Sequence, residues 1–390
     1  MTSNSREIYS DEILSKMKLS TSLVSNTEMV KRILGINTDL IIRNFILGRG
    51  DTIQAVVFYF DNMVSDSHID SDVMQSLIVD SYKSGLIKGS EILSEILSGN
   101  VITRAEIKIG NNIEELTKGI ATGNAAVLFE GLDKVLIISV KGHEYRSIVE
   151  SQIEPTVKGA RDAFIEALSI NLSLIRRRIN NPNLIFESLT VGSISRTKVC
   201  IGYIRGICSY DIIDEIRSRI NGIDVDGIIG SNYIEECIND SKLSFFPQIR
   251  NTERPDTASA ALMEGRAIII VDNTPVTLIV PGEFFSLIQS ADDYYNRHVF
   301  SSFIRILRYF ALGIALILPA LYIAIVNFHQ ELIPTRLLES IIAARAGVPL
   351  PNFAEAISME IAFELLREAG VRLPKPVGPA VSIVGGLVIG

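Results

Sequence analysis

Apolar and polar positions repeat in one order twice along the first 290 residues. In the first copy, an apolar run over 53–60 predicts a strand, and helical patterns follow at 71–86 and 113–121. Two apolar runs, 125–129 and 134–140, then flank Glu-Gly-Leu-Asp, a pattern typical of a β-hairpin. The predicted order of elements is strand, helix, helix, hairpin.

The second copy keeps this order. A strand is predicted at 198–204 and helices at 210–220 and 258–263. Apolar runs at 266–271 and 275–280 flank Asp-Asn-Thr as a second hairpin. We therefore predict an α/β soluble region made of two related modules, followed by an α-helical membrane domain.

The change of composition along the chain gives its predicted organisation. The predicted parts are a polar lead-in (1–40), the first module (41–150), a connecting helix (151–185), the second module (186–290) and the membrane domain (291–390). Within the connecting segment the helical pattern covers 161–179.

A membrane span is predicted from 309–326, where 18 consecutive residues carry no charge. As a helix they would extend about 27 Å at about 1.5 Å per residue, close to a hydrocarbon core of about 30 Å. Pro319 interrupts the run, and proline is tolerated in membrane helices. A buried helix of a soluble domain is the alternative, but such helices seldom run this far without a polar residue. We place the first spanning helix at about 305–328.

Charges around this run predict its orientation. Arg297, Arg305 and Arg308 precede it, and no Lys or Arg follows before Arg336. This asymmetry favours a cytoplasmic N-terminal side, and the three arginines suit lipid headgroups. A further apolar stretch, 377–390, is too short to span and is expected to begin another spanning helix of a longer protein.

Between the two apolar stretches, helical patterns at 335–346 and 352–369 predict interfacial or re-entrant helices within about 335–370. Glu360 and Glu364 lie in the second of them. A solvated acidic face is the favoured interpretation of these carboxylates, and an aqueous path lined by them is the alternative.

The charge and the cysteine content of the chain limit the kinds of partner that it is expected to bind. The net charge is −8, and the basic block Arg176–Arg178 is the longest in the chain, which argues against nucleic acid. That block could bind a phosphate or an acidic partner, but its position at a predicted helix end favours a solvated cap. The three cysteines support neither a disulfide framework nor a zinc site.

Catalytic motifs are missing from the sequence. It has no P-loop, no G-x-S-x-G and no H-E-x-x-H, and its four histidines are scattered. We therefore expect no enzymatic activity, no cofactor and no bound metal.

From residue 250 onward the chain carries a specific series of motifs. They are Thr252–Asp256 (TERPD), Pro281, Phe284, Phe285, Gln289, Ser290, Asp293, Tyr294, Tyr295, Arg297, Arg305, Arg308, Phe328, His329, Glu331, Pro334, Arg345, Met359, Glu360, Phe363–Gly370 and Ser382–Gly390. Gly159, Arg161, Phe164, Glu166, Asn171 and Leu174–Arg178 match further upstream. Over about residues 40–390 the chain resembles the A subunits of GerA-family spore germination receptors. It departs at Asn273, where the family often has Gly, and at Leu350, where Phe is frequent.

The resemblance implies a function and partners. A GerA-type A subunit is expected in the spore inner membrane, with its soluble region on the cytoplasmic, spore-core side. Expected partners are a B-type transporter-like subunit, a C-type lipoprotein subunit, further copies of the chain and membrane lipid. The subunit would couple nutrient detection to ion release, as a nutrient-gated ion channel. The alternatives are a non-conducting scaffold that assembles the B and C subunits, and a small-molecule-binding module with a cleft between the two α/β units.

Two groups of candidate site residues follow. Residues expected to couple the soluble region to the membrane are Glu253, Arg254, Pro255, Asp256, Gln289, Asp293, Tyr294, Arg297, Arg305 and Arg308. Candidates for the membrane path or pore are Pro319, His329, Glu331, Pro334, Glu360 and Glu364. For the TERPD segment, coupling ion pairs and a plain helix cap with a turn are equally compatible with the chemistry.

Overall fold

The chain forms two compact units, Met1–Arg297 and His298–Gly390. A computed structural model describes residues 8–47, 52–61, 63–65, 68–80, 106–140, 154, 156, 158–241, 244, 246–345 and 350–372. Two sequence predictions, the end of the helix at 71–86 and the apolar stretch 377–390, lie outside the described residues.

The first module is an antiparallel five-stranded sheet with helices on both faces. Its strands are β1 (Leu40–Leu47), β2 (Ile53–Phe60), β3 (Ile107–Gly110), β4 (Ala125–Phe129) and β5 (Val135–Ile138), in the order β1-β2-β4-β5-β3. Its helices are α1 (Asp11–Lys16), α2 (Leu23–Leu34), a π-helix (Ile69–Asp80) and α3 (Ile113–Ala121).

The second module has an antiparallel five-stranded sheet with the same order of strands as the first. Its strands are β6 (Leu184–Val191), β7 (Thr197–Ile204), β8 (Arg250–Thr252), β9 (Ala267–Val271) and β10 (Thr277–Val280), in the order β6-β7-β9-β10-β8. Its helices are α4 (Leu168–Arg178), α5 (Tyr210–Asn221), α6 (Ser231–Ile238) and α7 (Pro255–Met263). The predicted strands, hairpins and repeated order are therefore present.

Each module also has two strands that the pattern did not predict. The edge strands β3 and β8 have four and three residues, too few to show a period of two. β1 and β6 each have partly exposed residues in their burial patterns, which weakens their alternation. The predicted order of strand, helix, helix, hairpin therefore lacks two strands in each module.

Helices α2 and α4 occupy equivalent places in the two modules. The Asn26 side chain accepts from the N–H of Ser20 and donates to its carbonyl, at 2.9 and 2.6 Å. Asn171 makes the same two bonds to Ile165, at 2.9 and 2.6 Å. Both asparagines are the fourth residue of their helix. Helix α2, from the predicted lead-in, and α4, from the predicted connecting segment, therefore each pack in a module.

The turns of the two hairpins cap these helices in the same way. Leu23 N–H donates to Glu130 at 2.8 Å, and Leu168 N–H donates to Asp272 at 3.3 Å. The residues after these acids, Gly131 and Asn273, have φ of 83° and 65°, so Asn273 keeps the left-handed turn that glycine usually supplies. Because Asp272 and Asn171 hold the preceding loop, helix α4 begins at Leu168 and not at the predicted residue 161.

Both faces of each sheet are covered, which explains the continuous apolar runs of the central strands. In β2, Val57 and Tyr59 face the π-helix, whereas Val56 and Phe58 face α1, α2 and α3. In the second module, one face packs on α5 and α6 and the other on α4 and α7. Burying each such side chain contributes about 1.5–3 kcal/mol.

In the described residues after β10, three short helical elements and three longer helices follow. The first unit ends with α8 (Phe284–Leu287) and a 3-10 helix (Ala291–Tyr294), and the second unit has α9 (His298–Phe328), a 3-10 helix (Gln330–Leu332), α10 (Thr335–Arg345) and α11 (Asn352–Arg372). Among the described residues, α9 is the one helix long and apolar enough to cross a membrane, with a mean hydropathy of 2.4. Only 6% of that stretch is buried, unlike the core helix of a soluble protein.

Candidate functional site

A buried ion pair joins the two modules inside the first unit. Arg176 of α4 donates from Nη2 to Asp39 Oδ1 at 2.7 Å and to Asn37 Oδ1 at 2.8 Å. Its Nε donates to the second Asp39 oxygen at 2.5 Å. The Arg176 side chain is 2% exposed and that of Asp39 is 7% exposed. Asn37 also accepts from the N–H of Phe186, so the segment before β1 is tied to β6.

Aromatic rings enclose this guanidinium. It lies 3.6 Å from the centre of the Phe60 ring and 4.8 Å from that of Phe186. A buried charge is tolerated only with matched hydrogen bonds, and here the Asp39 carboxylate and the Asn37 amide oxygen accept them. The two rings add cation–π contacts. The predicted solvated helix end is therefore wrong for Arg176, because its position on α4 faces the first module. Arg178 also has a partner, the Asp162 carboxylate at 2.6 Å.

A second network lies at the C-terminal end of the first unit, around Arg254. This side chain is 2% exposed. It donates to the Ala160 carbonyl at 2.8 Å, to Thr156 Oγ1 at 3.0 Å and to the Glu154 carbonyl at 3.3 Å. These three acceptors belong to residues that precede the second module, so Arg254 holds that segment against the start of α7. We name the described residues of this segment, 154, 156 and 158–164, the strap.

Asp256 connects Arg254 to the residues that lead into α9. Arg254 Nη2 donates to Asp256 Oδ2 at 2.6 Å, and the Tyr295 hydroxyl donates to the same oxygen at 2.5 Å. Burial raises the pKa of Asp256, but the hydrogen bonds from Arg254 and Tyr295 outweigh it and hold the pKa below its usual value. Burial and the bond to Asp256 raise the pKa of Tyr295. Asp256 is therefore the ionised centre of this junction.

The strap contacts the same residues through its backbone. Lys158 N–H donates to Asp292 at 3.2 Å, and Phe164 N–H donates to the Glu253 carbonyl at 2.7 Å. Gly159 has a φ of 127°, and a Cβ there would lie 2.5 Å from the Tyr295 ring. Only glycine permits both this backbone angle and this close approach. The strap, α7 and the segment before α9 thus form one hydrogen-bonded cluster.

Most of the predicted coupling residues in the first unit take part in this cluster or border it. Pro255 is the first residue of α7, with Arg254 as its N-cap. Asp293 forms a capping box with Ser290, and the Tyr294 hydroxyl donates to Glu264 at 2.8 Å. The remaining first-unit candidates are Gln289, whose N–H donates to the Ser286 carbonyl, and Arg297, which is exposed.

The other candidates lie in the second unit. Arg305 and Arg308 are on α9 and half-buried. The pore candidates Pro319, His329, Glu331, Pro334, Glu360 and Glu364 are all exposed in this single chain, and Glu364 forms an ion pair with Arg367. Their grouping around a path stays a prediction. Within the described residues, no three His, Cys, Asp or Glu side chains are grouped so that they could hold a metal ion.

Sequence reasoning missed Asn37, Asp39, Tyr295 and the strap as members of these networks. Asp39 and Arg176 are 137 residues apart, and Glu154 and Arg254 are 100 apart. No local spacing links such pairs. One available signal was an arginine on the otherwise apolar side of α4, which suggests a buried partner.

Comparison with known proteins gives consistent matches. Residues 28–390 match the sequence family described as Bacillus/Clostridium GerA spore germination protein. Spore germination protein KA of Bacillus subtilis (strain 168) is 41% identical over 95% of this chain and 68% of its own length. Spore germination protein A1 of the same organism is 38% identical over 94% and 73%, and its uncharacterized membrane protein YfkQ is 39% identical over 95% and 71%.

A solved structure resembles the first unit. It is the crystal structure of the N-terminal domain of the A subunit of the Bacillus megaterium spore germinant receptor GerK3. The TM-score is 0.55 with 31% sequence identity, and the match covers 68% of this chain and 97% of that one. The paired antiparallel sheets therefore have a known counterpart.

Proposed function

The chain belongs to the GerA family of spore germination proteins, and from this premise we propose that it is the A subunit of a nutrient-sensing germinant receptor. The relatives named above support a role in spore germination. The likeness of the first unit to the N-terminal domain of a germinant receptor A subunit supports the subunit assignment. The exposed apolar helix α9 supports membrane association.

The proposed activity is to couple nutrient detection to ion release in the spore inner membrane, as a homo-oligomeric, nutrient-gated ion channel. Its partners would be a B-type transporter-like subunit and a C-type lipoprotein subunit. The first unit would lie on the spore-core side, because Arg297, Arg305 and Arg308 precede the apolar run of α9.

The observation that carries this proposal is the junction cluster. Arg254 and Asp256 join the strap to Tyr295, which lies just before α9 begins at His298. A movement of the first unit would therefore be transmitted to α9 through hydrogen bonds with charged partners, which are stronger than neutral ones. This explains why a soluble sensor and a membrane helix would share one chain.

Ion flux tests the proposal. The full chain would be reconstituted in liposomes, alone and with its B and C subunits, and nutrient-dependent potassium flux measured. We expect flux in the complete complex, and slower flux in Glu360→Gln and Glu364→Gln, because exposed carboxylates near a pore concentrate cations. Glu339→Gln, an exposed acid on α10, is the matched control.

The alternative is a non-conducting scaffold that assembles the B and C subunits. The exposed side chains of Glu364 and Arg367 form an ion pair. This favours the alternative, because a carboxylate with a cationic neighbour attracts a further cation more weakly than a carboxylate without one. A complex that assembles normally but shows no flux through this subunit would support the scaffold. If the flux is equal in wild type, Glu360→Gln and Glu364→Gln, neither residue lines the pore.

A further inference from the structure

Three exposed phenylalanine rings lie together at one end of the second module. The ring centre of Phe284 is 5.5 Å from that of Phe246 and 5.8 Å from that of Phe285, and both pairs meet edge to face. Phe246 is 64% exposed, Phe284 44% and Phe285 61%. We name these three residues the aromatic cluster. Single exposed apolar side chains need no explanation, but an exposed apolar group of this kind marks a surface that binds a protein or a membrane.

Backbone hydrogen bonds place Phe246 in this cluster. Gln248 Oε1 accepts from the N–H groups of Asp240 and Ser241, at 2.7 and 3.3 Å. The carbonyl of Gln248 accepts from the N–H of Gly282 at 2.8 Å, which joins this loop to the residues just before α8. The position of Phe246 beside α8 is therefore set by the backbone and not by the ring contact alone.

Polar contacts connect the aromatic cluster to the residues that precede α9. Glu283, the residue before α8, lies 3.5 Å from Nη2 of Arg266, and the same atom lies 3.3 Å from Glu264. Glu264 in turn accepts the hydroxyl of Tyr294 at 2.8 Å. Tyr294 is four residues before α9 begins, so at most about 14 Å of chain separates them, at about 3.6 Å per residue. The aromatic cluster thus belongs to the part of the first unit from which the chain continues into α9.

A lipid surface fits this position better than a protein partner does. Because α9 would anchor the chain, the bilayer would be offered to the cluster at a high effective concentration. The first turns of α9 are also apolar and exposed, at Val299 and Phe303, so the bilayer interface is expected to reach towards the start of this helix. Phenylalanine is a typical residue on the lipid side of interfacial elements.

The charges beside the cluster indicate which force would hold it at the bilayer. Glu264 and Glu283 share one cation, Arg266, so this group of three side chains has no excess of positive charge. Attraction to anionic lipid would therefore contribute little, and burial of apolar ring area would supply the binding.

We propose that the aromatic cluster is a lipid anchor, in which the rings of Phe246 and Phe285 insert into the headgroup region of the bilayer. The anchor would hold the second module at the membrane surface. Movement of this module would then be resisted at two places, by the hydrogen bond of Tyr295 to Asp256 and by the inserted rings. This proposal rests on the membrane association of α9 that is proposed above.

Tryptophan fluorescence tests the anchor, because the chain has no tryptophan of its own. Phe246→Trp and Phe285→Trp would each carry a single indole in the full chain, reconstituted in phosphatidylcholine liposomes that contain nitroxide-labelled lipid. We expect a loss of fluorescence in both variants. The loss should be larger with a nitroxide near the headgroup than with one at the end of the acyl chain, because the rings are expected at the interface.

Ile194→Trp is the matched control. Ile194 is 79% exposed and lies in the turn between β6 and β7, at the other end of the sheet. Strand β9 begins with Ala267, which pairs with the end of β10 shortly before α8. It ends with Val271, which pairs near the start of β7. The indole of Ile194→Trp should therefore keep its fluorescence with either lipid label.

Leu316→Trp, at an exposed position within α9, separates failure of the anchor from failure of the receptor proposal. If lipid labels quench Leu316→Trp but neither Phe246→Trp nor Phe285→Trp, the anchor is wrong and the membrane helix stands. If they quench none of the three, both proposals fail. An indole in Phe246→Trp that is shielded from acrylamide in the water but not quenched by labelled lipid would indicate a protein partner, and would also overturn the anchor.

Discussion

The hydroxyl of Tyr295 donates a 2.5 Å hydrogen bond to Asp256, a residue 39 positions earlier in the chain. Asp256 is simultaneously bound by the buried Arg254. The last residues before α9 are therefore held by the second module and are not a free linker.

Removing the Tyr295 hydroxyl should loosen this junction. In Tyr295→Phe we expect faster amide hydrogen exchange in 291–297, because one bond to a charged acceptor, about 1 kcal/mol at a partly exposed site, is lost. Exchange in the strands should not change. Tyr233→Phe, also exposed, is the control, and unaltered exchange at the junction would show that the hydrogen bond contributes nothing there.

Gly159→Ala should displace Tyr295. The new Cβ would lie 2.5 Å from the Tyr295 ring at a φ of 127°. Gly131→Ala is the matched control, since its φ of 83° is also positive but nothing lies within 4 Å of its Cβ. Both changes should lower the free energy of unfolding by about 1 kcal/mol through backbone strain. Faster hydrogen exchange at 291–297 should occur in Gly159→Ala alone.

Mutations of Arg176 and Asp39, the ion pair between the modules, should have strongly non-additive effects on the free energy of unfolding. Arg176→Met should lower the free energy of unfolding by about 3–5 kcal/mol, because it leaves the Asp39 carboxylate buried without its partner. Asp39→Leu in the same chain should recover much of this loss. Urea unfolding of both single variants and the double variant measures the coupling, and additive losses would contradict the pairing. Lys31→Met, on the exposed side of α2, should change stability by less than about 0.5 kcal/mol.

The junction should also respond to pH. The pKa of Asp256 is lower in the folded protein than its ordinary value of 3.8. Its contribution to stability is therefore complete above the unfolded pKa and is lost as pH falls through the folded one. The pKa of Tyr295 is raised above 10.0, so its contribution is complete below the unfolded pKa and is lost as pH rises through the folded one. Asp256→Asn should reduce the acid-side loss by the share that Asp256 contributes, in thermal unfolding scans from about pH 6 to about pH 2.

A charge in the middle of α9 should prevent membrane insertion. Leu316 is 72% exposed within α9, and arginine at the centre of a membrane helix costs about 2.5–3.5 kcal/mol. Leu316→Arg should therefore shift the chain from the alkali-resistant membrane fraction to the soluble or degraded fraction. Val299→Arg, near the start of the same helix, is the control because arginine can reach the headgroups from there. Equal recovery of both variants in membranes would argue against a span.

Much of the fold followed from local patterns. The continuous apolar runs of β2, β4, β7 and β9 predicted strands, and the turns after β4 and β9 predicted hairpins. The charge-free run in α9 predicted a helix able to span a membrane. These elements were predictable because side-chain periodicity and turn chemistry act within a few residues.

Only part of the candidate site could be predicted from the sequence. The TERPD segment was identified from its residues, and its chemistry allowed two interpretations, coupling ion pairs or a helix cap with a turn. The structure has an ion pair within the segment, between Arg254 and Asp256, and Arg254 is also the N-cap of α7. The Tyr295 bond, the strap and the short strands β3 and β8 were not predicted. Each depends on a partner distant in sequence, such as Glu154 for Arg254, and local spacing carries no signal for it.

The amino-acid sequence by itself determined where the central strands, the hairpins and the long apolar helix lie, because solvent and backbone geometry select them locally. Only the tertiary structure decided that Arg176 is buried against Asp39 and that Tyr295 is bound to Asp256. A charged side chain near a helix end can be solvated or paired at nearly equal local cost. The packing of the two modules brings the distant Asp39 carboxylate close to Arg176, and this favours the paired state over the solvated one.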